Sequence, residues 1–179
     1  MRKLLIALLT ATALTVALPT AADAATSRSL LPPAGTCAGE SSSTVGTGAQ
    51  LRAMKCLVAA TRRRAGAPAL HENGALARAA RLKGGRIEAC RAFSHTPCGA
   101  PFSAVFDAAG WHGRTMGENI AFGQTWRGTP RAILAAWVQS PGHRANLLRR
   151  EFRFHGLAVR SATLPGVDTV RLWVHAFGR

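Results

Sequence analysis

Six histidines and, beyond the first two dozen residues, seven acids are the groups of this 179-residue chain suited to moving protons or ligating a metal. Two of the histidines and one acid stand among neighbours that constrain them. His95 lies in Phe93-Ser94-His95-Thr96-Pro97-Cys98. If Cys90 and Cys98 are joined, it sits in a closed loop of nine residues, which fixes a side chain that would otherwise be mobile. Without that closure it is a surface histidine in a turn. Glu118 lies in Gly117-Glu118-Asn119-Ile120-Ala121, between a glycine and an apolar strand, and faces either a cavity or solvent at the strand edge. His143 lies in Ser140-Pro141-Gly142-His143-Arg144-Ala145-Asn146-Leu147. With Ser140 as N-cap, His143 falls in the first turn of a helix, where the positive end of the dipole disfavours imidazolium. Neutral imidazole binds a metal or accepts a proton; the alternative is a histidine that only caps the helix. The spacings of 23 and 25 residues carry no metal signature, and nothing matches H-E-x-x-H. No G-x-S-x-G marks a serine nucleophile, so Ser140 is explained as an N-cap.

The elements that must hold these residues follow from periodicity. Leu51, Met54, Leu57 and Val58 form a helical stripe over 51–65. Arg62-Arg63-Arg64 suits its C-terminal end, and Gly66 and Pro68 stop it. A second helix is expected over 72–90, burying Leu76, Ala79, Ala80, Leu82 and Ile87, with Gly84-Gly85 weakening its middle by about 1 kcal/mol per glycine. A loop over 91–100 and a short helix over 101–109 follow. A short strand lies within 117–123. Thr129-Pro130 and Ser140-Pro141 each open a helix, the second reaching Arg149. Phe154–Val159 and Val170–Phe177 read as strands of an antiparallel hairpin about a turn at 164–168. Helices with an antiparallel sheet give an α+β sandwich.

Met1-Arg2-Lys3, an apolar run of about 15 residues from Leu4 to Leu18, Pro19 and Ala22-Asp23-Ala24 have the order of a secretory signal. The run is shorter than the roughly 20 residues that span a bilayer, so no transmembrane segment is expected after cleavage at residue 24. The expected organisation is a signal over 1–24, an extended Ser/Thr/Gly/Pro-rich arm over 25–50 and one domain over 51–179. Export makes the four cysteines, Cys37, Cys56, Cys90 and Cys98, disulfides rather than a zinc cluster. Three pairings exist, and proximity favours Cys37–Cys56 with Cys90–Cys98. Beyond residue 24 there are 21 Lys+Arg against 7 Asp+Glu, a net charge of +14. Such a surface favours anionic lipid or a cell-wall polymer, unless it reflects only the composition of the proteome. Nucleic acid is not expected, because no basic block carries interleaved aromatics.

From Cys56 to Gly178 the chain resembles the CAP superfamily of cysteine-rich secretory, antigen-5 and pathogenesis-related proteins, in its bacterial secreted branch. The resemblance rests on Leu76-Ala77-Arg78-Ala79-Ala80, Phe93-Ser94-His95, Ala109-Gly110-Trp111, Gly117-Glu118-Asn119-Ile120-Ala121-Phe122-Gly123, Trp137 through Leu148, and Ala176-Phe177-Gly178, in that order. It implies a three-layer α-β-α sandwich with a small central antiparallel sheet. It also implies a cavity lined by two histidines and two acids able to hold a divalent cation such as zinc. His95, Glu118 and His143 match three of these, and Ser140 stands in place of the second acid. Ala59-Ala60-Thr61 replaces the family's Asn-Glu, His155 replaces an aliphatic residue and His175 a glutamine. These last two fall on the hairpin strands and are expected to be separately hydrogen-bonded, with mutual approach as the alternative. The implied role is a secreted, monomeric binding module taking a cation or a lipid-like ligand, without turnover. The rival is a metal-assisted or acid–base hydrolase of wall peptide or lipid ester, with Glu118 as base; a third option is a charge-driven adhesion module.

Overall fold

A computed structural model describes residues 29–179, so the proposed signal sequence lies outside the described residues. Helices α1 (Thr47–Arg64), α2 (Gly74–Ala89), α3 (Ala104–Ala108), α4 (Pro130–Gln139) and α5 (Pro141–Leu148) surround strands β1 (His71–Glu72), β2 (Met116–Gly123), β3 (Phe154–Leu164) and β4 (Val167–Gly178). The sheet order is β1-β3-β4-β2, antiparallel throughout except that β1 runs parallel to β3.

Alternation along β4 assigns the two cores. Trp173 and Phe177 face α1, α4 and α5, where they pack with Met54, Leu57, Leu134, Trp137 and Leu147. Leu172, Val174 and Ala176 face α2 and α3, where they meet Leu76, Ala80, Ile87 and Phe106. A strand buried on both faces feeds a core on each side, and the three-layer sandwich follows. Gly156 permits the close approach of β3 to α2, since a Cβ there would stand 2.0 Å from the backbone nitrogen of Ala77.

Several elements differ from the sequence reading. Both hairpin strands are longer, leaving Pro165-Gly166 as the turn. The apolar run ends near Val159, but the exposed Arg160 and Ser161 continue the ladder, Arg160 lying against Gly84 and pairing with Glu88 of α2, and Thr163 falls at a register shift between Ala162 and Leu164. Strand β1 is too short to show periodicity. It takes Glu72 from the expected helix, and Asn73 instead caps α2, accepting from the N–H groups of Ala75 and Leu76. Helix α1 begins at Thr47. Among the described residues before it, 31–46 form turns rather than an extended arm, with Leu30 and Cys37 buried in the first core and the Glu40 carboxylate accepting from the N–H of Gly35 and Cys37. Cys37–Cys56 and Cys90–Cys98 are the disulfides, with Cα–Cα distances of 5.9 and 5.4 Å. Among the described residues no helix is long and apolar enough to cross a membrane.

Candidate functional site

Glu118 sits in the middle of the edge strand β2, on the face turned toward α2, and its side chain is only 1% exposed. Two groups hold it there. His95 Nδ1 lies 2.7 Å from Oε1, and the ammonium of Lys83, also 1% exposed, lies 3.4 Å from Oε2. Lys83 Nζ donates in addition to the main-chain oxygen of His95. Thus one buried lysine fixes both the carboxylate and the backbone of the histidine that the carboxylate orients. The Cys90–Cys98 bridge closes the loop carrying His95, which is the constraint that the sequence spacing suggested. The ring itself is 47% exposed. With Nδ1 turned inward on the carboxylate, Nε2 is the nitrogen left to act on a ligand.

Burial pushes the Lys83 ammonium below its usual pKa, opposed by the charge of Glu118 and their contact. Lys83 escaped the sequence reading, although a signal exists. It falls on the stripe Leu76, Ala79, Ala80, Ile87, where a lone lysine in an apolar helical face must find a buried partner.

His143 occupies the first turn of α5, half-buried. Its pKa is lowered by burial first and then by the neighbouring His95, which favours the neutral imidazole. It does not join the His95–Glu118 hydrogen bond. The link between β2 and α5 runs through asparagines instead. Asn119 Nδ2 donates to the His143 carbonyl at 2.9 Å, and Asn146 Nδ2 donates to Glu118 O at 3.2 Å and to Asn119 Oδ1 at 3.0 Å. Gly117 is required beneath this clamp, because a Cβ there would stand 2.7 Å from the Phe152 ring. Ser140 is the N-cap residue of α5, but its side chain makes no capping hydrogen bond; the cap position is kept by Pro141 and the backbone, with Arg144 N–H donating to Ser140 O at 2.8 Å.

A divalent cation, implied by the resemblance at His95, Glu118 and His143, must be tested against these donors. One histidine nitrogen and one carboxylate oxygen are already spent on each other, and the second oxygen faces the Lys83 ammonium. That ammonium supplies from α2 the positive charge a metal would bring. Among the described residues no group of three or more His, Cys, Asp or Glu side chains is gathered to hold a metal ion. In this arrangement the Glu118 carboxylate is engaged by His95 and Lys83, and the His95 Nε2 and His143 nitrogens are the donors that would be left for a cation.

His155 and His175 do approach each other, contrary to the expectation of separate partners. His155 Nδ1 lies 3.0 Å from His175 Nε2, both buried. The register explains it: Leu157 opposes His175 and His155 opposes Phe177, so the two histidines are diagonal neighbours on one face. Burial is the main cause that lowers His155 to about 4 and His175 well below the usual range. The pair is therefore neutral at physiological pH.

The sandwich and the order of its motifs define a CAP-type domain. The sequence model of the cysteine-rich secretory protein family (CAP) matches residues 50–170, and the chain belongs to that family. It is 32% identical over 123 residues to the uncharacterized protein YkwD of Bacillus subtilis (strain 168), a match covering 68% of this chain and 44% of that protein. The chain therefore spans less than half the length of this curated relative. Among solved structures, an extracellular SCP-domain protein of Bacillus anthracis str. Ames superposes with a TM-score of 0.61 at 22% identity, covering 77% of this chain and 45% of the other. An outer surface protein of Borrelia burgdorferi superposes with a TM-score of 0.65 at 18% identity, covering 75% of this chain and 96% of the other. At these identities the structures share the fold.

Proposed function

We propose that the chain is a secreted binding module whose ligand is lipid-like, with a polar head met by His95 and an apolar body met by Phe93 and Phe122. The observation that carries this reading is a pair of large aromatic side chains exposed beside the charged cluster. Phe93 is 42% and Phe122 36% exposed. Their rings meet edge to face at 4.8 Å. Phe93 is two residues from His95, and Phe122 lies on the face of β2 that carries Glu118. Exposed aromatics at a polar centre suit an amphipathic ligand. Work outside the cytoplasm is supported by the two disulfides and by relatives described as extracellular or outer-surface proteins. The test is titration with a fluorescent long-chain fatty acid. Phe93→Ser/Phe122→Ser should weaken binding at least tenfold, and His95→Ala by less. Unchanged affinity in the double variant rejects the reading.

A second reading has one observation in its favour. A buried carboxylate on His95 Nδ1, with the ring half exposed, is the arrangement of an acid–base dyad. In that case His95 would take a proton from water or from a hydroxyl at Nε2, and Glu118 would stabilise the imidazolium. Ester or peptide hydrolysis lost in both His95→Ala and Glu118→Gln would favour this reading. A serine-directed probe labelling Ser140 would add a nucleophile to it. Absence of turnover in the wild type leaves the binding reading.

A further inference from the structure

A second concave surface is lined by none of His95, Glu118 and His143 and meets their site only through Asn146. Between the C-terminal half of α5, the loop into β3 and the end of β4 is an open cleft of about 830 Å³. Its walls include Arg149, Arg150, Arg153 and Arg179, all exposed, against one side-chain carboxylate, Glu151. Glu151 is committed to Arg149, with Oε2 2.6 Å from Nε. The other contacts of these arginines orient without neutralising. Arg150 donates to the carbonyl of Gly66 at 2.6 Å, and Arg153 donates to the carbonyl of Arg150 at 2.7 Å. The Arg149 guanidinium rests on the Phe152 ring, 5.1 Å from its centroid.

A buried residue beneath the cleft makes it rigid. Arg62, 1% exposed, donates to the carbonyls of Pro68, Leu147 and Arg149. It thereby occupies carbonyls at the negative end of α5 that would otherwise repel an anion. Arg62 also senses the cleft: after burial, the charges of Arg153 and Arg150 are the causes that lower its pKa. The positive field of the cleft therefore reaches the core.

We infer that this cleft is an anion site for phosphate-bearing ligands. Guanidinium forks pair with phosphate oxygens in bidentate fashion, and the volume lies within the range of about 300–1,000 Å³ usual for ligand sites. The lining holds no aromatic side chain on which a nucleic-acid base could stack. The phosphate comes from an anionic lipid headgroup or from a soluble phosphate polymer, and the experiment separates the two.

Calorimetric titration with inorganic tripolyphosphate at low salt should show binding. Arg149→Gln/Arg150→Gln/Arg153→Gln should weaken it at least tenfold. Arg52→Gln/Arg127→Gln/Arg160→Gln removes the same charge outside the cleft and should weaken it less than threefold. Circular dichroism and melting of both variants establish that these exposed substitutions leave the fold intact. Phosphatidylglycerol vesicles displaced by tripolyphosphate would assign the headgroup as source. Failure of such vesicles to bind, with tripolyphosphate still bound, would assign a soluble polymer. Equal weakening in the two triple variants, or no tripolyphosphate binding by the wild type, overturns the inference.

Discussion

Two clusters on opposite faces of one small sheet bury their titratable groups in opposite ways. Toward α1, α4 and α5 lie His155 and His175, both neutral, hydrogen-bonded to each other and walled by Trp137 and Phe177. Toward α2 lie Lys83 and Glu118, both buried, with His95 completing the cluster at the surface. The first cluster is the more enclosed: His175 Nδ1 is buried without a hydrogen-bond partner, and His155, 5% exposed, borders a cleft of about 230 Å³ together with Lys55 and Glu72. The second ends in solvent at His95. Burial of titratable groups is thus no guide to a functional site by itself. The informative difference is whether the cluster delivers an oriented atom to the surface. Only the second holds an oriented ring half in solvent; the first is a histidine pair on the side of the sheet where the buried Arg62 guanidinium is met by main-chain carbonyls.

The largest expected effect breaks the charged cluster. Lys83→Met keeps much of the side-chain volume but leaves Glu118 without its buried counterion. Removing one partner of a buried pair costs about 3–5 kcal/mol, to be measured by urea unfolding. Lys83→Met/Glu118→Gln should recover part of that loss, because no uncompensated charge remains. If Lys83→Met alone costs less than about 1 kcal/mol, the ion pair does not hold the site together.

The neutral cluster should show itself through pH. His155 titrates at about 4 in the folded protein, against the ordinary histidine value of 6.5. In that window the unfolded chain binds more protons, so acidification favours unfolding. The stabilisation is complete above about 6.5 and is lost progressively as pH falls toward about 4. At about 1.4 kcal/mol per pKa unit, the loss is roughly 3 kcal/mol. His155→Gln/His175→Gln should flatten the unfolding free energy across this window relative to wild type. An equally steep dependence in the variant would remove the pair from the acid response.

These two clusters were unequally legible in the sequence. The hairpin and the helix starts at Thr129-Pro130 and Ser140-Pro141 came from local signals that act over a few residues, and the structure contains them. The three-layer architecture came from the family resemblance, as did the expectation that His95 and Glu118 share a site; their spacing of 23 residues carries no such information. Lys83 enters the sequence reading only as one of 21 basic residues beyond position 24, and composition cannot distinguish a solvated lysine from one on a buried helical stripe. The meeting of His155 and His175 needed a strand register that turn signals over 164–168 left open by several residues. Ser140 shows the converse. Its type and position fit an N-cap, yet the side chain makes no capping bond.

The smallest effect on stability is expected at the residue that separates the clusters most sharply. His95→Ala removes a half-exposed ring, while Lys83 still neutralises Glu118 and still reaches the main-chain oxygen at position 95. Unfolding free energy should therefore change by less than about 1 kcal/mol, near the net worth of one hydrogen bond. Ligand binding or turnover at this centre should change by more. His175→Ala should behave oppositely, opening a cavity beside Trp137 and Phe177 and costing about 2–4 kcal/mol without touching the surface. A large stability loss in His95→Ala, or a binding loss in a His175→Ala protein that remains folded, would erase the distinction. In that event the solvent-facing imidazole is part of the scaffold, and the chemistry has to be sought elsewhere on the molecule.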